Sequence, residues 1–383
     1  MDVMDGAGME EQGSGDGVGN ATDSPPFEFS DYRQRAVVAS LFLLASVVGT
    51  LGNSLVILAV ALSRKLRTVT NVFVVNLAVA DLLTCLSLPF NALALLTPPE
   101  QGWPLPDELC VALALLAYTC VGCSLYTLAT IALNRWMLIT RPARTYRACY
   151  RPAWLATMTA AVWLVPFLVA FLPPRLGLGE LGYTRKYGTC THKNSHRLAA
   201  YYSLLQSALF FPGPFVVIVV CYAKIFGHVR RHHRALMKEP ASREMSETSA
   251  AAPREETVGR PSSDGASAAG ATPTRRKNRS VAERQLSRRQ VEITKNLFYV
   301  VCAFTICIVP YGVALLVPPS DPVIPWTAAL LLVNSCINPV IYATKHPHFK
   351  TVFGLILRCR CRKIPEQSDF LRSMRRTVGR VAS

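Results

Sequence analysis

The sequence Asn134-Arg135-Trp136 lies at the inner end of one long apolar segment, and Asn338-Pro339-Val340-Ile341-Tyr342 lies near the end of the last such segment. An arginine at a membrane boundary and an Asn-Pro break inside a membrane-buried helix are both costly, because hydrocarbon offers no partner for a charge or for a freed backbone group. Such residues are tolerated in a membrane where function requires them. The two motifs therefore indicate a bundle of membrane helices that contains polar functional sites.

The composition agrees with a membrane protein, because 51% of the residues are hydrophobic and only 17% are charged. A helix needs about 20 mostly uncharged residues to cross the hydrocarbon core. Seven runs of this kind occur, so we predict an all-α membrane protein with a seven-helix bundle. The runs begin near Ala36, Val69, Leu109, Ala153, Leu198, Lys295 and Pro325.

Basic residues identify the cytoplasmic side of the bundle, because loops rich in Lys and Arg stay inside. They follow the first and third spans and fill the connection between the fifth and sixth spans. The leading segment is acidic and contains the acceptor pattern Asn20-Ala21-Thr22, so we expect an extracellular amino terminus glycosylated at Asn20. No apolar run precedes Ala36, which predicts that the first span acts as a signal anchor in the plasma membrane.

The sequence divides into four parts: a disordered extracellular segment (1–35), the seven-helix bundle (36–345), an amphipathic membrane-surface helix (346–362) and a cytoplasmic tail (363–383). Within the bundle, residues 232–289 are predicted to be a disordered third cytoplasmic loop. Its ends, 224–238 and 284–295, are predicted to extend the adjoining helices as basic amphipathic stubs. We attribute the net charge of +17 to this topology and to contact with anionic membrane lipid rather than to nucleic-acid binding.

Two pairs of cysteines lie outside the predicted membrane core. Cys110 begins the third span on the outer side and Cys190 lies in the outer loop before the fifth span, so both meet an oxidising environment. A bridge between them would hold that loop over the bundle. Cys359 and Cys361 follow an amphipathic run just after the seventh span. We predict that both are palmitoylated, the alternative being a frayed basic tail.

An ordered set of residues across 36–361 resembles the markers of rhodopsin-like (class A) G-protein-coupled receptors. The set comprises Gly52-Asn53, Leu77-Ala78-Val79-Ala80-Asp81, Cys110, Asn134-Arg135-Trp136, Trp163, Pro214, Tyr222, Phe304, Pro310 and Asn338-Pro339-Val340-Ile341-Tyr342. The stretch from Lys65 to Asn76 and the Asn-Arg-aromatic triplet are most similar to melatonin receptors and to the orphan and medium-chain fatty-acid-sensing receptors near them.

The resemblance implies a receptor that catalyses nucleotide exchange on a heterotrimeric G protein, with an inhibitory class of G protein expected. Arrestin and receptor kinases are further implied partners. No Gly-rich phosphate loop, His-Glu-x-x-His zinc pattern or Gly-x-Ser-x-Gly elbow occurs, so the chain is predicted not to be an enzyme and has no candidate catalytic residue. A seven-span transporter or channel is the less favoured alternative, because Asp81 is essentially the only buried charge.

The resemblance also assigns G-protein coupling to Asn134, Arg135, Trp136, Tyr222 and Tyr342. Most relatives carry an acid before the arginine and another in the sixth helix, whereas this chain has Asn134 and Gln290 there. A neutral hydrogen bond is weaker than a charge-assisted one, so we expect a larger active population at rest. A constitutively active receptor with no diffusible agonist is therefore an alternative.

Asp81 is a carboxylate near the middle of the bilayer, where an unpaired charge is costly. The resemblance surrounds it with the oxygens of Ser124, Asn334 and Asn338, and hard oxygen ligands suit Na⁺. We predict a sodium site in which Asp81 is the metal-binding carboxylate, with Na⁺ as an allosteric ion and no required cofactor. The alternative is a protonated Asp81 that is hydrogen-bonded to Asn338.

The resemblance to the receptor family also implies a packing switch beneath the ligand pocket, formed by Leu125, Pro214, Phe304, Ile308 and Pro310. Ile308 replaces the tryptophan that the family usually places two residues before the sixth-helix proline. The kink at Pro310 needs only a missing backbone donor, so it is expected to survive. The effect of ligand binding must then be transmitted to the kink at Pro310 without a tryptophan side chain at position 308.

The predicted ligand pocket is apolar with a few neutral polar groups. Ala117 replaces the aspartate of aminergic receptors, which argues against a monoamine, and no lysine lies in the outer part of the seventh span, which argues against retinal. Basic residues in the outer loop leave an acidic lipid as an alternative to a small, largely apolar ligand. The predicted lining comprises Asn91, Ala117, Tyr118, Gln206, Ser207, Tyr311 and Ala328.

Overall fold

The computed structural model describes residues 27–193, 196–249, 298–299, 301–315, 317 and 321–373, with the backbone alone for 232–249. The helices are α1 Tyr32–Leu62, α2 Val69–Leu96, α3 Asp107–Thr140, α4 Ala143–Cys149, α5 Pro152–Arg175, α6 Ala199–Phe210, α7 Pro212–Ser249, α8 Val301–Leu315, α9 Ile324–Lys345 and α10 Pro347–Leu357. The strands are β1 Leu181–Thr184 and β2 Thr189–His192.

Six helical segments are long and apolar enough to cross a membrane, α6 and α7 forming one crossing over Ala199–Arg231. α8 adds a shorter apolar helix, Val301–Leu315. The six long segments begin close to their predicted starts, while the start predicted near Lys295 lies outside the described residues. The predicted seven-helix, all-α bundle is confirmed.

α3 lies at the centre of the bundle and contacts α2, α5 and α7, while α1 packs against α2 and α9. Gly52 explains how α1 approaches α9 so closely. A Cβ atom at this position would lie 2.8 Å from Cβ of Pro339, the proline of the Asn-Pro motif. The glycine therefore makes room for the proline ring between the two helices.

The fifth crossing is interrupted at Phe211, because Pro212 and Pro214 follow it and cannot donate backbone hydrogen bonds. Helical bonding resumes at once, with the Phe215 amide donating to the Phe211 carbonyl at 3.2 Å. α7 then continues to Ser249, beyond the predicted end of the basic stub at residue 238. The structure thus carries helix into the predicted third loop, of which 250–289 lie outside the described residues.

An antiparallel hairpin of β1 and β2 covers the outer end of the bundle, with Tyr183 opposite Cys190. Cys190 is disulfide-bonded to Cys110 at the start of α3, with 5.2 Å between their Cα atoms. The predicted bridge is confirmed, and it holds the hairpin over the helices.

Polar contacts fasten the turn of this hairpin to the rest of the outer face. The backbone amide of Phe29 donates to the Lys186 carbonyl at 2.9 Å. The ammonium of Lys186 and the hydroxyl of Tyr187 each lie 2.8 Å from Asp321, just before α9. The hairpin is therefore fixed at both ends.

The first part of the predicted tail is packed rather than free. Residues 364–373, which we name the clasp, run back along the turn between α1 and α2, where Ser63 and Gln367 form an antiparallel bridge. The Arg64 amide donates to the Glu366 carbonyl at 2.8 Å, and the Ser368 amide donates to the Leu62 carbonyl at 2.9 Å. The second bond satisfies a carbonyl at the end of α1 that the helix itself leaves open.

Apolar burial holds the clasp as well. Ile364 and Leu371 belong to the same buried cluster as Leu62, Leu66 and Phe353, so the clasp closes a groove between the α1–α2 turn and α10. Outside this groove, Asp369 forms an ion pair with Arg64. That pair is largely exposed, and exposed pairs contribute little, so burial and backbone bonding dominate.

Candidate functional site

A cavity of about 200 Å³ lies under the hairpin, in the outer half of the bundle. It reaches from α3, α6 and α8 to α1, α2 and α9, and it is bounded above by β2. All seven residues of the predicted pocket line it: Asn91, Ala117, Tyr118, Gln206, Ser207, Tyr311 and Ala328. Further polar lining residues that the sequence analysis missed are Ser87, Tyr187, Thr189, Thr191, His192 and Ser203.

The cavity has an uncharged lining in the part of the chain that the structure describes. Among the described lining residues, His192 is the only group that would ordinarily titrate near neutral pH, and burial lowers the pKa of this imidazole to about 4 despite the opposing hydrogen bond with Gln206. His192 is therefore neutral under physiological conditions. Size also limits the ligand, because 200 Å³ is below the usual range for a site that holds a drug-sized molecule.

Two of the basic loop residues that suggested an acidic ligand have acidic partners. Lys193 lies 2.6 Å from Glu180, and Lys186 lies 2.8 Å from Asp321. Arg185 and Arg197 are exposed to solvent rather than turned into the cavity. These four basic residues therefore lie outside the lining of the cavity, on its rim.

The predicted switch residues lie directly below the cavity. Leu125, Phe304 and Ile308 are buried in one apolar cluster together with Phe210 of the cavity wall. Pro214 is also buried, and Pro310 is half-buried within α8. Ile308 thus occupies a packed position between the cavity and the inner half of the bundle, although it lacks an indole.

Asp81 lies deeper in the bundle and is 1% exposed. Its carboxylate accepts hydrogen bonds from the Asn338 amide at 2.7 Å and from the Ser124 hydroxyl at 3.3 Å. The side-chain oxygen of Asn334, the fourth predicted residue, is buried and has no hydrogen-bond partner among the described residues. The side-chain oxygen of Asn53 is likewise buried without a partner among the described residues, although the sequence analysis did not include Asn53 in the predicted sodium site.

At the inner face, Asn134 joins three helices. Its side-chain oxygen accepts from the Thr70 hydroxyl of α2 at 2.7 Å, and its side-chain nitrogen donates to the Tyr146 hydroxyl of α4 at 3.1 Å. Arg135 is buried next to it in α3. The amide that replaces the usual acid therefore uses both a donor and an acceptor.

The three aromatic coupling residues lie around this position. The ring of Trp136 is flanked by the cations of Arg141 and Lys224, each 5.0 Å from its centroid, which connects α3 to α7. The hydroxyls of Tyr222 and Tyr342 are buried and have no hydrogen-bond partner among the described residues. The two hydroxyls therefore form no hydrogen bond with each other in this conformation.

Of the three predicted modification sites, Cys359 and Cys361 lie among the described residues. Asn20 lies outside the described residues. Cys359 is exposed just after α10, with a φ of 54°, and Cys361 is partly exposed. Among the described residues, no group of three or more His, Cys, Asp and Glu side chains is arranged to hold a metal ion.

Comparisons with known proteins agree with this arrangement. The profile of the family described as "7 transmembrane receptor (rhodopsin family)" matches residues 52–342. G-protein coupled receptor moody of Drosophila melanogaster is 29% identical over 369 residues, which cover 88% of this chain and 53% of the relative. The alpha-1D adrenergic receptor of Homo sapiens is 32% identical over 346 residues, which cover 85% of this chain and 56% of the relative.

The crystal structure of squid rhodopsin superposes with a TM-score of 0.64 and 22% identity, covering 88% of this chain and 92% of that chain. This likeness concerns the fold alone. The chain spans about half the length of the curated relatives named above. The narrower similarity to melatonin receptors stays a prediction. The chain belongs to the rhodopsin family of seven-transmembrane receptors and is a multi-pass membrane protein.

Proposed function

We propose that this receptor senses a small, uncharged, largely apolar extracellular ligand and catalyses nucleotide exchange on a heterotrimeric G protein. The observation that carries the proposal is the cavity under the disulfide-bound hairpin, which has an uncharged lining and rests on the cluster of Leu125, Phe304 and Ile308. A ligand that fills the cavity would press on this cluster. The cluster in turn packs against the inner half of the bundle, where Arg135 lies.

The charge of the lining argues for a neutral ligand. An ammonium group in this cavity would find Ala117 and no carboxylate among the described lining residues. An acidic lipid would also lack a partner within the cavity, because Lys186 and Lys193 are paired on the rim. Either ion would lose its hydration without compensation, which costs several kcal/mol or more.

On the cytoplasmic side, we propose that Asn134, Arg135, Trp136, Tyr222 and Tyr342 bind the G protein, which is of the inhibitory class. Their clustering near the inner ends of the membrane crossings that contain α3, α7 and α9 supports this assignment. Arrestin and receptor kinases are the further proposed partners. Palmitoylation of Cys359 would add a lipid anchor beside α10, and the amino terminus would face outwards with a glycan on Asn20.

We also propose Na⁺ as an allosteric ion at Asp81. The donor set fits, because the buried oxygens of Asn334 and Asn53 need a partner and a hard cation binds oxygen. Asp81, Ser124 and Asn338 would complete a polar site in the middle of the bundle. Thermal stability of the purified protein in NaCl, compared with choline chloride at equal ionic strength, tests this. Wild type should be stabilised by sodium and Asp81→Asn should not. Equal responses would refute the assignment.

The experiment that tests the function is nucleotide exchange on a panel of purified G proteins by the full chain in lipid nanodiscs. A library with matched neutral, acidic and amine compounds should yield activators among the neutral compounds. Activation by amines or acids alone would contradict the ligand assignment. High exchange without any compound would instead favour a constitutively active receptor, the alternative that Asn134 suggests.

A further inference from the structure

Two buried polar atoms in the roof of the cavity have no hydrogen-bond partner within the described chain: Nε2 of Gln206 and Nδ1 of His192. Their residues are 4% and 8% exposed, and both line the cavity. Leaving such an atom unsatisfied costs about 1–3 kcal/mol, so two neighbouring examples at one cavity wall point to a missing partner.

The two residues are joined by a hydrogen bond of 2.9 Å between Nε2 of His192 and Oε1 of Gln206. The amide oxygen can only accept, so the imidazole carries its proton on Nε2 and leaves Nδ1 as an acceptor. Nε2 of Gln206 is then a free donor. If the amide is turned over, Nε2 donates to the ring, Nδ1 becomes the donor and the amide oxygen becomes the acceptor. In both arrangements the pair has one unused donor and one unused acceptor, and since both atoms are buried, the two side chains must turn towards the cavity for a ligand to reach them.

Aromatic neighbours hold this pair in place. The imidazole of His192 lies 4.6 Å from the ring of Tyr118 and 4.3 Å from the ring of Tyr202, the latter edge to face. The hydroxyl of Tyr118 is already hydrogen-bonded to Thr191 and does not compete for Nδ1. The imidazole is therefore packed between two aromatic rings, and its Nδ1 is left to a partner from outside the described chain.

We propose that His192 and Gln206 recognise a neutral ligand group that both donates and accepts hydrogen bonds, a carboxamide or a hydroxyl, attached to an apolar body. A carboxylate has only acceptors and an ammonium has only donors, so each satisfies one atom of the pair and strands the other. This inference rests on the proposed function, because it names the chemical class that the same cavity binds. The apolar body would lie against the aliphatic wall formed by α1, α2 and α9.

The test uses four eight-carbon probes that differ only in the head group: octanamide, octan-1-ol, octanoate and octylammonium. Their dissociation constants are measured by ligand-dependent thermal stabilisation of the purified full chain in nanodiscs at pH 7.4. Octanamide and octan-1-ol should bind at least tenfold more tightly than the two ions. Gln206→Leu should weaken octanamide binding about tenfold, whereas the matched control Gln34→Leu, the same substitution at an exposed glutamine of α1 outside the lining, should not.

The four-probe comparison on wild type requires no variant, so a poorly folding Gln206→Leu protein leaves the proposal testable. Equal or tighter binding of either ion, no binding of any probe, or unchanged octanamide binding by a folded Gln206→Leu protein would overturn it. Agonist-free nucleotide exchange is measured on the same preparations. If exchange persists while head-group selectivity is absent, the recognition pair is wrong and the receptor function stands.

Discussion

Truncation of one buried clasp residue should open the clasp without disturbing the bundle. Leu371 is 6% exposed, and burial of a leucine side chain contributes roughly 2 kcal/mol. Ordering the chain opposes docking by about 1–2 kcal/mol for each residue, so the docked state is held by a small margin. Leu371→Ala removes about 2 kcal/mol of this stabilisation, because a cavity cost adds to the lost burial. Since 1.4 kcal/mol corresponds to a factor of ten, the open fraction should rise about thirtyfold.

Hydrogen exchange of the full chain in nanodiscs measures this opening directly, because two amides depend on the clasp. The Arg64 amide bonds to Glu366 and the Ser368 amide bonds to Leu62, so both exchange only when the clasp is open. Phe370→Ala is the matched control, since Phe370 is adjacent and 51% exposed. Both amides should exchange about thirtyfold faster in Leu371→Ala and at the wild-type rate in Phe370→Ala. Equal exchange in all three proteins would refute the claim that apolar burial holds the clasp.

Three further predictions concern the hairpin and the inner face. Cys110→Ala and Cys190→Ala should each destabilise the protein by about 2–5 kcal/mol. The double variant should match the single variants in thermal unfolding, because each of the three proteins lacks the same disulfide. Additive losses would contradict the pairing. Lowering the pH from 7 to 5 should destabilise wild type by roughly 2 kcal/mol more than His192→Gln. The unfolded chain protonates the imidazole below its ordinary pKa of 6.5, whereas the folded chain, in which the pKa is about 4, does not, so stability is lost as the pH falls from 6.5 towards 4. Parallel pH profiles of the melting temperature would disprove this. Asn134→Asp should lower agonist-free nucleotide exchange about tenfold at matched receptor density, because a new carboxylate next to Arg135 that stabilises the resting state by about 1.4 kcal/mol reduces the active fraction tenfold. An equal or faster rate would exclude the idea that Asn134 weakens the restraint on Arg135.

The sequence predicted those parts of the structure that follow from local, repetitive signals. Apolar runs located the helices because a bilayer requires about 20 such residues for each crossing. The cavity lining was also accessible from sequence, since positions such as Ala117 and Gln206 follow from helix register once the family is recognised. The pairing of Cys110 with Cys190 followed from their shared outer location.

Features that depend on long-range packing could not be predicted in this way. The clasp has a short, polar sequence with two buried apolar residues, Ile364 and Leu371, and only the groove beside α10 gives them a partner. Nothing in the sequence indicates that His192 turns inwards to Gln206, because it lies in a loop among basic residues. The sequence also predicted α7 to be shorter than it is, because the polar end of this helix lacks the apolar periodicity that marks a packed helix.

Nucleotide exchange by the full chain and by Arg135→Ala is the decisive measurement for the proposal that this chain activates a G protein through Arg135. Both proteins are purified at equal yield, reconstituted in nanodiscs and mixed with an inhibitory-class G protein, with thermal unfolding as the check on folding. Wild type should accelerate exchange, with or without a neutral ligand, and Arg135→Ala should show the rate of the G protein alone. Equal acceleration by a folded Arg135→Ala protein would contradict the account.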